Sequence, residues 1–367
     1  MLRGISGQRY LWRGASSFGL LYLIAVGREG EAVARMQTLA GMGFSLVRVL
    51  ATARYLFDLP ATTGRAHLDR LLSLAKSAGL YVEIVALADT DGWSRGELDT
   101  QLRSIYAIAT GHDNALVEGG NEIGPEHPTQ ADDIAEACRT FQRSGLALYC
   151  PGSVHGGTLC KDRAALTEAQ WERGQSQDEW PYWDEVHTYS KDFGTSHLKR
   201  GGADGDRGRR VRELELCSSQ AHCLFVDDEP IGADETSQPS KRSSDPGVFF
   251  LQGVLSRIFE TGSTFHSQAG LTSAPFGPVQ QACAEAFIRG TAIVPDTTRL
   301  AFKNTGWHDS PVKEFTGAIR VYSGLGAEHI ACVIAPEPHF TIECQNGYRV
   351  VGTRAEMSGC RVLDLAT

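Results

Sequence analysis

The chain has 367 residues, of which 42% are apolar and 22% charged, and a formal net charge of −9. This is a globular composition that excludes a disordered or collagenous chain, and it leaves room for a barrel of about 250 residues plus a smaller unit. The acidic balance argues against nucleic-acid binding as the main task, and no apolar run reaches the roughly 18 residues of a membrane span.

Strand-like apolar runs recur along most of the chain, with helical segments between many of them. The first is 10–16. The apolar stretch 18–26 follows Arg3, Arg9 and Arg13 and imitates a secretory leader. It reads instead as a buried strand and then a helix start, because Trp12-Arg13-Gly14 sits where the first strand belongs. A helix around 31–42 leads to a second strand at 44–50, and a helix over 67–79 leads to a third at 80–88. In that helix Leu68, Leu71, Leu72, Leu74 and Ala75 share one face, and Gly79 ends it.

The remaining strands are expected at 115–119, 147–150, 183–189, 222–227 and 261–267. Helices are expected near 98–110, 134–144, 209–220, 248–259 and 279–289. Eight strands alternating with helices predict a (β/α)8 TIM barrel. No strand leads into a G-x-G-x-x-G phosphate loop, which counts against a doubly wound sheet. Beyond residue 312 short strands joined by tight turns predict a small antiparallel β unit. The expected division is a barrel over 1–311 and an appendage over 312–367.

The nine cysteines are odd in number and form no C-x-x-C pair. They read as buried small hydrophobes or free thiols, which points to a cytoplasmic chain, or a secreted one if a leader was trimmed. The basic cluster Lys199, Arg200, Arg207, Arg209, Arg210 and Arg212 reads as a solvated loop and helix start. Neither nucleic acid nor membrane is an expected partner, and the sequence leaves the oligomeric state open.

A TIM barrel does its chemistry at the C-terminal ends of its strands. Strand four ends in Gly119-Gly120-Asn121-Glu122, and strand seven in Asp227-Asp228-Glu229-Pro230. Carboxylates on roughly opposite walls of the mouth can flank a glycosidic bond, one as acid and one as nucleophile or base. Arg48 stands near the end of strand two, where its charge can hold a carboxylate ionised. His187 and Tyr189 are two apart and face the same way. Trp93 is the best candidate for a sugar platform, while Trp171, Trp180, Tyr182 and Trp183 can instead pack a long loop. His155 and His266, in or after strands five and eight, can line the mouth.

These residues resemble a clan A glycoside hydrolase of the cellulase/β-mannanase superfamily. The resemblance runs over about 5–290. It rests on Ser6–Gly14, on Gly43–Arg48, on Asn121-Glu122, on His187-x-Tyr189 and on Glu229. It implies a retaining mechanism, with Glu122 as acid/base, Glu229 as nucleophile and Asn121 on the sugar 2-hydroxyl. The substrate expected is a β-linked glycan or glycoside, with no cofactor and no metal. Two features depart from the clan. Strand eight ends in Phe265-His266-Ser267 where a tryptophan is usual, and Asp89-Thr90-Asp91 replaces a histidine after strand three. A carbohydrate-binding or structural barrel without turnover is the alternative. Metal-assisted chemistry at Asp227, Asp228, Asp89 and His266 is a weaker third.

Overall fold

The computed structural model describes residues 11–121, 131–155, 192–197, 224–230, 232–234, 242–258, 261–272 and 274–293, and short strands beyond them. Eight parallel strands form a nearly closed barrel: β1 (Arg13–Ser16), β2 (Leu46–Leu50), β3 (Tyr81–Leu87), β4 (Ala115–Gly120), β5 (Leu148–Gly152), β6 (Phe193–His197), β7 (Leu224–Asp227) and β8 (Gly262–Ser267). Each strand from β1 to β4 pairs with the next, β8 pairs with β1 and β7, and β7 pairs with β6. The ring closes through Val154–His155, which continue β5 and pair with β6.

The sixth strand of the barrel is Phe193–His197. The strand expected at 183–189, with His187 and Tyr189, lies outside the described residues. Trp183–Tyr189 has the alternation and β-formers of a strand, whereas Phe193-Gly194-Thr195-Ser196-His197 carries glycine and small polar residues with little intrinsic preference.

Helices α1 (Leu20–Ala25), α2 (Glu29–Met42), α3 (Ala61–Ser77), α4 (Arg95–Ala109), α5 (Ala131–Thr140), α6 (Pro246–Ile258), α7 (Gln268–Thr272) and α8 (Pro278–Ile293) accompany the strands. The apolar stretch after β1 thus becomes α1, with Leu20, Leu21, Leu23 and Ile24 buried. In α3 the buried positions Gly64, Leu68, Leu71, Leu72 and Ala75 recur at helical spacing and form one stripe. A capping box starts α4: Ser94 accepts from the Glu97 N–H, and the Glu97 carboxylate accepts from the Ser94 N–H. Gly43 ends α2 in the left-handed region (φ 102°), where a Cβ would be strained. Around β8 the Phe265 ring packs 6.0 Å from Phe44, 5.4 Å from Phe249 and 5.8 Å from Phe276, which ties the strand to its helical coat.

The barrel interior is layered. Trp12, Leu46, Leu116, Cys150, Phe193 and Val226 form one apolar cluster, apart from the strand–helix core that holds Val47, Val49 and Val117. Side chains alternate along a strand, so residues two or four beyond that plug also point inward. Those residues are Arg48, Glu118, His197 and Asp228. A polar layer therefore lies on the apolar plug, at the C-terminal side of the barrel.

Beyond the barrel, β9 (Lys303–Asn304), β10 (Ile319–Ser323), β11 (His329–Val333) and β14 (Val362–Asp364) form one antiparallel sheet. β12 (His339–Glu343) and β13 (Arg349–Thr353) form a separate two-stranded one. The first sheet takes its opening strand upstream of residue 312. The expected helix near 209–220 and the basic cluster lie outside the described residues.

Candidate active site

Arg48 is the hub of the polar layer. It is fully buried on β2, two residues beyond the inward Leu46. Its Nε donates to Glu118 Oε2 at 3.0 Å, and its Nη2 to Glu118 Oε1 at 3.1 Å, a two-pronged pair across the barrel. Nη2 also donates to Asn121 Oδ1 at 2.8 Å, and Nη1 to Glu229 Oε1 at 2.7 Å. Asp228 Oδ2 lies 3.2 Å from Nε. Phe18 covers the guanidinium, its ring centroid 5.6 Å from Cζ.

Burial opposes the Arg48 charge. Asp228, Glu118, Glu229 and Glu83 outweigh it and hold the guanidinium firmly protonated. Burial pushes the Glu118 carboxyl up to about 7, Asp228 adds to the rise, and Arg48, His197 and the Ser153 N–H restrain it. The last of these donates to Glu118 Oε1 at 3.1 Å.

Glu229 follows Asp228 and precedes Pro230, with its side chain 10% exposed while Arg48, Glu118 and Asp228 are sealed. It is the carboxylate of the layer that reaches toward the mouth. His197, at the end of β6, places Nδ1 3.6 Å from Glu229 Oε2 and Nε2 3.4 Å from Asp228 Oδ1. Asn121 is anchored at the end of β4 by its own N–H, which donates to the Leu87 carbonyl. The structure thus brings Arg48, Asn121 and Glu229 together. Glu122, the next residue after Asn121, lies outside the described residues.

The other expected residues sit as follows. His266 is buried at the end of β8, its Nδ1 2.9 Å from Ser16 Oγ and its ring 5.9 Å from Phe18. Trp93 is partly buried and packs on the strand–helix core. His155 pairs in register with His197. Asp89 takes a left-handed conformation and accepts from the Tyr55 N–H at 3.2 Å, which fixes the turn after β3. The described cysteines Cys138, Cys150 and Cys283 are free and buried, and burial pushes the Cys138 thiol up to about 12.

Sequence reasoning missed Glu83, Glu118 and His197. The available signal was a lone acid inside each of two apolar strands. Glu118, His197 and Asp228 offer one donor atom each within 4.8 Å of one another. That spacing suits a divalent ion, but Arg48 already stands 2.9 Å from Glu118 and 3.2 Å from Asp228. The guanidinium is the cation of this cluster.

No family model matches the sequence, and no curated protein does. Solved structures do match. A family 5 glycoside hydrolase from Bacteroides vulgatus is 13% identical, with a TM-score of 0.54 over 96% of this chain and 84% of that one. The barrel is the fold of the family 5 glycoside hydrolases. A further glycoside hydrolase is 11% identical with a TM-score of 0.54, covering 95% of this chain and 88% of its own. A GH5_18 protein from Streptomyces cattleya, solved in complex with GlcNAc, is 16% identical with a TM-score of 0.50, covering 80% of this chain and 82% of its own.

Proposed function

We propose that the protein is a retaining glycoside hydrolase acting on a β-linked glycan or glycoside, with Glu229 as nucleophile and Glu122 as acid/base. One observation carries the reading. A single buried guanidinium bonds Glu229 at 2.7 Å and Asn121 at 2.8 Å, the second being the neighbour of Glu122. Strand ends four and seven, the two that must face each other across a glycosidic bond, are tied to one side chain.

In this reading Glu229 attacks the anomeric carbon while Glu122 gives its proton to the leaving oxygen. Glu122 then takes a proton from water, which attacks the glycosyl carbon and frees Glu229. Arg48 keeps Glu229 ionised and fixes which oxygen faces the sugar, because Oε1 is occupied by Nη1. Oε2 faces His197 at 3.6 Å. Asn121, its Oδ1 engaged by Arg48, has its amide N–H free of that bond to donate to a sugar hydroxyl. No step needs a cofactor.

A barrel that binds carbohydrate without turnover is the second reading. The buried His266, where the resemblance has an aromatic platform, favours it. Hydrolysis of a panel of aryl β-glycosides by wild type, Glu122→Gln and Glu229→Gln separates the two. Turnover lost in both variants supports the glycosidase. A wild type inert toward the panel and toward polysaccharides rejects it.

A further inference from the structure

The mechanism above gives Glu83 no task. Glu83 lies on β3, beside Arg48 in the strand register, and its side chain is fully buried. Neither carboxyl oxygen has a hydrogen-bond partner. Its nearest cation, Arg48 Nε, is 3.9 Å away and already holds Glu118 at 3.0 Å and Asp228 at 3.2 Å. A buried carboxylate that accepts no hydrogen bond is a poorly solvated ion, and the neutral acid is the stable form in such a place.

Charge counting points the same way. The groups facing Glu83 are Arg48 from β2, Glu118 from β4, His197 from β6 and Asp228 after β7. Arg48 also serves Glu229. One guanidinium cannot balance four buried carboxylates, so protons must reside in the layer. Asp228 has Arg48 at 3.2 Å and His197 at 3.4 Å. Glu118 has the two-pronged pair and the Ser153 N–H. Glu83 has neither kind of contact and is the natural seat of a proton.

We propose that Glu83 is a positioning residue that carries a proton at the floor of the site. As a neutral acid it leaves the Arg48 charge to Glu229 and Asn121. When it ionises, a fourth anion competes for the guanidinium from below, and Glu229 is held less firmly in its charged, oriented state. Burial, reinforced by Glu118 and Asp228, holds the Glu83 carboxyl well above the usual carboxylate range against the pull of Arg48 and His197. The link to turnover rests on the glycosidase reading. The proton and its effect on Arg48 do not.

Infrared spectroscopy of the full chain tests both parts without a substrate. Wild type above neutral pH should show the C=O stretch of a protonated carboxyl, and Glu83→Gln should lack it. A wild type without that band overturns the proposal whether or not the variant folds. A band that persists in Glu83→Gln and disappears in Glu118→Gln puts the proton on Glu118 and also overturns it. The guanidinium bands of Arg48, assigned by their loss in Arg48→Lys, should shift in wild type over the pH range in which the protonated-carboxyl band disappears, and stay fixed over that same range in Glu83→Gln. Bands indifferent to that titration overturn the positioning role. Failure to hydrolyse any glycoside would refute the glycosidase reading and leave these spectra equally decisive.

Discussion

Arg48 Nη1 donates to Glu229 Oε1 across 2.7 Å, so an inward residue of β2 meets the second residue beyond β7 on the far side of the barrel. The contact follows from strand parity. Leu46 plugs the barrel, Arg48 stands two residues above it, and Val226 likewise plugs the barrel below Asp228 and Glu229. The same guanidinium reaches Asn121 and Glu118 on β4 and its end. One side chain therefore fixes the spacing of the fourth and seventh strand ends.

Removing that side chain should be costly. Arg48→Ala would leave Glu118, Asp228 and Glu229 buried without their cation, and losing one partner of a buried pair costs about 3–5 kcal/mol. Denaturant unfolding should show a loss of that size. Arg48→Lys keeps the charge but not the planar fork, so it should recover part of the stability and little of the geometry at Glu229. An Arg48→Ala protein as stable as wild type would refute the hub.

Stability should fall with rising pH through the neutral range. Glu118, raised by burial to about 7, keeps a proton in the folded state that the unfolded chain has already released. Between the usual carboxylate range and about pH 7 the folded state thus binds more protons, and unfolding becomes easier as pH rises. The contribution is fully present below that window and lost above it. The Glu118 part of the effect is roughly 3 kcal/mol. Denaturant curves on either side of the window should show the decline in wild type, and Glu118→Gln should make it shallower, leaving the part that the raised Glu83 carboxyl adds.

Much of the barrel was legible because its strands and helices differ in period. Asn121 and Glu229 were legible because they stand just beyond strand ends, and Arg48 because it is the one charged residue of Leu46–Leu50. His197 was not, since Gly194 and Ser196 dilute the short strand signature that Phe193 and Thr195 supply. Glu83 and Glu118 were hidden for another reason. A parallel barrel strand is apolar on both faces, so Tyr81–Leu87 and Ala115–Gly120 do not declare which parity looks inward. Only the plug formed by Leu46, Leu116, Phe193 and Val226 reveals it.

Gly64 should not tolerate alanine, although alanine is the better helix former by about 1 kcal/mol. A methyl group there would collide with the carbonyl oxygen of Ala51, where α3 meets the turn after β2. Gly64→Ala should therefore lower stability by about 1–3 kcal/mol, the usual cost of overpacking. A thermal melt reads the sign, and a raised Tm would contradict the close approach.

Ser94→Ala should cost about 1 kcal/mol by opening the capping box of α4. Glu97→Gln should cost less, because an amide oxygen can still accept from the Ser94 N–H. Equal losses in the two variants would mean that the charge of Glu97, rather than the box, secures the helix start.

The central claim is that Glu229 becomes covalently bonded to the sugar. The direct measurement is mass spectrometry of the protein quenched with an activated 2-deoxy-2-fluoro β-glycoside whose glycone is the one the aryl-glycoside panel selects. The account predicts one added glycosyl group, located by peptide mapping on Glu229 and absent in Glu229→Gln. An adduct on another residue, or hydrolysis with inverted anomeric configuration and no adduct, would contradict it.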